Sequence, residues 1–209
     1  MTLTFKTKAN HMSINASDFR ALVLAAIASR NDYEIAKNAE NDNMSHTLKT
    51  LAKSFDNDVI AQTMMTFNVS ADFINVAERK NARFNVYAAQ KVENVVSVLA
   101  KRTNVLNHYT LNILRTCAAM SKASLKMTHS EAVASCSKDS KIADAKRAKH
   151  VSRYQRLTSA NTASTQASSS LNALKVCNVI DEVRDDANNV AYVVRDTDAA
   201  RELVAFVQA

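Results

Sequence analysis

The chain has 209 residues, 47% of them hydrophobic, which is enough for one large or two small cores, and it carries a net charge of +7. It contains neither glycine nor proline, where average usage would supply about 25 of the two together. That absence excludes a glycine-rich phosphate loop and a G-x-S-x-G nucleophile elbow, and it weighs against barrels and Greek keys, whose corners need special backbone angles. Turns must then come from Asn, Asp and Ser, and Asn is indeed abundant at 20 copies. Cys117, Cys136 and Cys177 match no zinc spacing. Their odd number is unlike a secreted disulfide framework, so they read as buried thiols in a reducing compartment. No apolar run approaches the ~18 residues of a membrane span. Residues 1–11 lack the apolar core of a secretory signal. The expected location is the cytoplasm, or a virion if the chain is a structural component.

In chain order, residues 2–8 alternate like a short strand. Residues 13–29 predict a helix capped by Ser17, with Phe19, Leu22, Val23, Ala26 and Ile27 on one stripe. Residues 31–43 read as a polar loop with a short helix near 33–39. Amphipathic helices follow over 45–55 and 57–65. Residues 69–101 look like the longest helix, and the helices around Phe73 to Leu99 are the expected seam of a homodimer. A further helix spans 104–125. Thr128 opens the next, over 128–137, with Glu131 completing a capping box. Residues 140–157 predict a helix dense in Lys and Arg, and 159–161 a turn.

The last part of the chain is the most patterned. Ala167, Leu171 and Leu174 share one helix face, with Thr162 or Ser164 as the cap. Two alternating runs, 180–183 and 190–194, flank a polar tip at 184–189 and predict a half-buried hairpin. A closing helix over 197–207 buries Ala200, Leu203, Val204 and Val207. Charge is uneven along the chain. Residues 1–100 carry 11 basic and 10 acidic side chains, 101–160 carry 12 and 3, and 161–209 carry 4 and 7. The positive charge therefore lies just before the patterned helix.

Helix, tight stop, strand, polar tip and strand over 162–194 resemble the second half of a winged helix-turn-helix domain. Leu171 and Leu174 fall on that family's paired leucines and Val179-Ile180 on its final apolar pair. Asn178 stands where the family usually has glycine, and Asn is the best substitute for a left-handed helix stop. Ser169 stands where an arginine often reaches DNA, and Asp185 and Asp186 make the wing tip acidic. The resemblance implies a mainly α fold. A helical region over 1–103, the place for dimerisation, would precede a winged-helix-like domain over 104–209 with a basic helix and a small two-stranded wing.

It also implies a non-enzymatic regulator of transcription or replication, prokaryotic or viral, that binds double-stranded DNA as a homodimer without a cofactor. The expected phosphate contacts are Lys138, Lys141, Lys146, Arg147, Lys149, Arg153 and Arg156. The expected groove contacts are Ser164, Thr165, Gln166, Ser169, Asn172 and Lys175, with Arg184 and Arg195 beside the wing. A helical scaffold that uses the acidic wing for a protein partner is the first rival. A single-strand binder is the second, and Tyr154 is the one aromatic in the basic segment that could stack a base. Catalysis has least support: His11, His46, His108, His129 and His150 are scattered, and no metal spacing is visible.

Overall fold

Asparagine does much of the punctuation that glycine and proline do elsewhere. In the computed structural model, which describes residues 14–208 apart from 39, 41, 80, 81, 104 and 155, α1 (Ala16–Lys37) starts at Asn15. The Asn15 side chain accepts from the Asp18 amide at 2.9 Å, so Asn15 rather than Ser17 is the cap. The expected strand at 2–8 and the helix start at 104 lie outside the described residues. α1 continues to Lys37, into the segment expected to be a polar loop with a short helix near 33–39. Arg30, 5% exposed, bonds Glu34 one turn on at 2.7 Å and donates to the Ile74 carbonyl, which ties the extra turns to the core.

α2 (Asp42–Phe55) and α3 (Asp58–Thr66) follow the sequence expectation, and the Asn57 side chain caps α3 by accepting from Val59 and Ile60. The long helix expected over 69–101 is not there. The chain turns at Asn68, makes a 3-10 turn at Phe73–Asn75 and a small hairpin of β1 (Ala77–Arg79) and β2 (Ala82–Arg83). Only then does α4 (Val86–Lys101) start, at Asn85. Asn75 bonds the Ala26 carbonyl of α1 at 3.0 Å, and Asn85 caps α4, so one long-range and one local side-chain bond win over helical periodicity. Most apolar residues from Phe73 to Leu99, beside the expected dimer seam, are buried in the chain's own core, while Val76 and Tyr87 are exposed.

α5 (His108–Lys122), β3 (Met127–Thr128) and α6 (His129–Cys136) come next, and the Thr128–Glu131 capping box forms as expected. The expected basic helix over 140–157 reduces to one short turn, α7 (Ala145–Ala148), capped by Asp144. The rest is pulled off helical geometry by bonds to α5. Ser152 N–H donates to Thr116 Oγ1 and Tyr154 N–H to Asn112 Oδ1, both acceptors being fully buried. α8 (Ala160–Val176) includes the residues expected to be a turn and ends at Asn178, whose φ of 57° is left-handed as predicted.

β4 (Ile180–Arg184), β5 (Val190–Val194) and α9 (Asp198–Gln208) complete the chain. The hairpin acquires a third strand: the sheet order is β3-β5-β4, with Met127 opposite Tyr192 and Ile180 opposite Val194. The protein is thus mainly helical with a small antiparallel sheet. One continuous buried cluster runs from Val23 on α1 to Val207 on α9. Among the described residues no helix is long and apolar enough to cross a membrane.

Candidate nucleic-acid interface

The basic segment is an excursion whose two ends meet. Thr158 N–H donates to the Cys136 carbonyl at 2.9 Å, and Lys138 N–H donates back to Thr158 at 2.9 Å. The end of α6 and the start of α8 therefore lie side by side, although 22 residues separate Ser137 from Ala160 by count. The bonds to Asn112 and Thr116 pin the excursion on α5, and this explains why those two polar side chains are tolerated in the interior.

Two of its cations hold the excursion in place. Arg147 forms a paired contact with the Glu131 carboxylate, at 2.5 and 2.9 Å, and donates to the Lys126 carbonyl at 2.7 Å. Burial would raise the Glu131 carboxyl, but hydrogen bonds from Arg147 and Thr128 outweigh it and hold the pKa below the ordinary 4.5. Arg153 donates to the carbonyls of Ala134 and Ser140. Lys138, Lys141, Lys146, Lys149 and Arg156, by contrast, are exposed and form no ion pair with a described residue.

α8 presents Asn161, Thr162, Ser164, Thr165 and Ser168 to solvent, with Gln166 and Asn172 half-buried. Ser159 makes no side-chain cap, so the first amides of α8 are not covered by it. Ser169 is only 3% exposed, with its hydroxyl on the Gln166 carbonyl, so it does not face outward. The second half of α8 is enclosed through Ser170, Leu171, Ala173 and Leu174. Lys175 pairs with Glu182 at 2.8 Å across to β4.

The wing cations are also engaged. Arg184 donates to Asn188 across the tip, while Arg195 bonds Asn178 Oδ1 and pairs with Asp181 at 3.3 Å. Asp185 is a turn residue: it accepts from the Asn189 and Ala187 amides, and the Asn189 backbone contact is the main cause of its lowered pKa. Asp186 lies 3.4 Å from Lys126. The acidic tip is thus partly accounted for by its own fold, which the sequence spacing did not reveal.

Lys138, Lys141, Lys146, Lys149 and Arg156 are thus exposed cations of the excursion without an ion pair to a described residue, and Ser164 and Thr165 are exposed at the adjoining start of α8, the Thr165 hydroxyl on the Asn161 carbonyl. Lys138, part of the basic segment read from the sequence, sits at the closed base of the excursion, its backbone N–H on the Thr158 carbonyl. Among the described residues no three metal-ligating side chains converge. All three cysteines are buried, and burial pushes the Cys117 thiol up to about 12. Neither a family model, a curated protein nor a solved structure matches this chain.

Proposed function

We propose that this chain is a double-stranded DNA-binding protein, a non-enzymatic regulator of transcription or replication that uses α5 to β5 as a winged helix. The observation that carries this reading is the order α5-β3-α6-α7-α8-β4-β5, α7 being a single turn within the excursion, with the sheet order β3-β5-β4. That order puts a helix pair beside a hairpin, as a winged helix requires. The closed base of the excursion supports it, because it makes α6 and α8 near neighbours as in a helix-turn-helix.

In this mechanism Lys138, Lys141, Lys146, Lys149 and Arg156 contact phosphates and release counterions. The start of α8 enters the major groove with Ser164, Thr165 and Gln166. It positions the protein more than it reads bases, since it carries no Arg for guanine. Arg147, Arg153, Lys175, Arg184 and Arg195 shape the surface rather than touch DNA. A homodimer would bind adjacent half-sites through a surface other than the buried stripe.

Amide hydrogen exchange of the full chain, with and without a random duplex, tests the reading. Protection should appear over 138–150 and 160–166. Protection confined to other elements, or none at DNA concentrations that saturate binding, would remove the winged-helix account.

A further inference from the structure

Between α4, α5 and α8 lies a cleft of about 1000 Å³, at the upper end of the range in which small ligands are enclosed. Its lining is unusual in charge. It includes Lys91, Arg115 and His108 but no carboxylate. Lys91 is 7% exposed and donates to the Gln166 carbonyl at 2.9 Å and to Ser170 Oγ at 2.7 Å, with no ion pair among the described residues. A buried ammonium normally has a counter-ion, and its absence here leaves an electrostatic cost that an anion in the cleft would relieve. Burial accordingly pushes the Lys91 ammonium down to about 8.

Arg115 is the second uncompensated cation. Its Nε donates to the Val207 carbonyl at 2.7 Å, and its guanidinium stacks 4.2 Å from the centre of the Tyr154 ring. The terminal nitrogens of the fork make no hydrogen bond to a described residue. A guanidinium fork with open nitrogens matches the oxygens of a phosphate. Tyr154 and Tyr87 line the same cleft and are 63% and 59% exposed, a large apolar area for two tyrosines to leave in water. Exposed aromatic faces beside unpaired cations are the pairing that holds a base and its phosphate.

We propose that this cleft binds a nucleoside monophosphate, with the phosphate toward Arg115 and Lys91 and the base against Tyr87 or Tyr154. The site is separate from the lysines of the excursion and stands whether or not the chain binds duplex DNA. It touches α8 directly, since Thr165 and Gln166 line it and Lys91 holds the Gln166 carbonyl.

Isothermal titration of the full chain with AMP, GMP, CMP and UMP, each alone, tests the proposal, with ribose 5-phosphate and adenosine as the two half-ligands. At least one monophosphate should bind about tenfold tighter than either half. Tyr87→Ala combined with Tyr154→Ala, two exposed positions whose loss leaves the core intact, should weaken it by about tenfold. Replacing Lys141, Lys146 and Lys149 together by Ala should change it by less than about twofold. Lack of binding by all four at millimolar concentration overturns the site. Loss in the lysine variant but not the tyrosine variant also overturns it, and assigns the binding to the excursion. Ribose 5-phosphate binding as tightly as the nucleotide overturns the base-stacking half.

Discussion

Arg147→Met separates a structural arginine from a phosphate-binding one. The substitution removes two contacts to the Glu131 carboxylate, at 2.5 and 2.9 Å, and a third to the Lys126 carbonyl at 2.7 Å. Glu131 is 3% exposed, so its carboxylate is stranded with only the Thr128 amide and hydroxyl to satisfy it. Breaking a buried pair in this way costs roughly 3–5 kcal/mol. The Arg147 side chain is 26% exposed, so water reaches the pair and the low end, about 3 kcal/mol, applies. Urea unfolding followed by far-ultraviolet circular dichroism measures it, and a thermal midpoint should fall by about 6–12 °C for a chain of this size. Duplex affinity of the folded variant should stay within about threefold, because Arg147 donates to Glu131 and Lys126 and not to phosphate. A variant that is stable to within about 1 kcal/mol but binds duplex much more weakly would refute the reasoning and return Arg147 to the phosphate contacts.

Other expectations concern the same local physics. Glu131 has a depressed folded pKa, so its stabilisation is complete above the ordinary 4.5 and is lost as pH falls through the folded value. The stability gap between wild type and Glu131→Gln, measured by urea titration, should therefore narrow as the pH is lowered past that point. Arg102 closes α4 with a φ of 50°, a conformation that costs a residue with a Cβ about 1 kcal/mol. Arg102→Gly should raise the urea midpoint by a corresponding amount, and a fall would show that another contact outweighs the strain. Asn178→Ala removes amide bonds to the Phe67 and Asn68 carbonyls and the acceptor for Arg195, and it keeps a left-handed φ without Asn to ease it. It should cost about 2–3 kcal/mol, with Asn178→Gly costing less because only the side-chain bonds are lost. None of the three thiols should react with a disulfide reagent until urea unfolds the chain, since all are buried and burial raises each pKa.

Legibility in the sequence followed the range of the forces involved. The capping box at Thr128, the left-handed stop at Asn178 and the hairpin strands rest on neighbouring residues, and each was readable. The segments 69–101 and 140–157 looked helical because their apolar and basic spacing is helical. Their geometry is decided instead by distant partners: Asn75 on Ala26, and the buried Asn112 and Thr116 on the backbone of Tyr154 and Ser152. No pattern within either segment announces such a partner. The strand at Met127–Thr128 is too short for a periodic signal and exists because β5 has a free edge beside it. For the interface, residue type marked the basic cluster, but only the packing separates Arg147 and Arg153, which hold the chain together, from the exposed lysines. The closure of the excursion at Thr158 had no local sign either.

In the proposed mechanism, exposed lysines beside the start of α8 neutralise DNA phosphates. Fluorescence anisotropy of the full chain on a random duplex, across a salt series, tests it most directly. Log affinity should fall linearly with log salt, and replacing Lys141, Lys146 and Lys149 together by Ala should flatten the slope by about 2.7, at about 0.9 per lost phosphate contact. An unchanged slope in the folded variant, or no binding by the wild-type chain at low salt, would contradict the account.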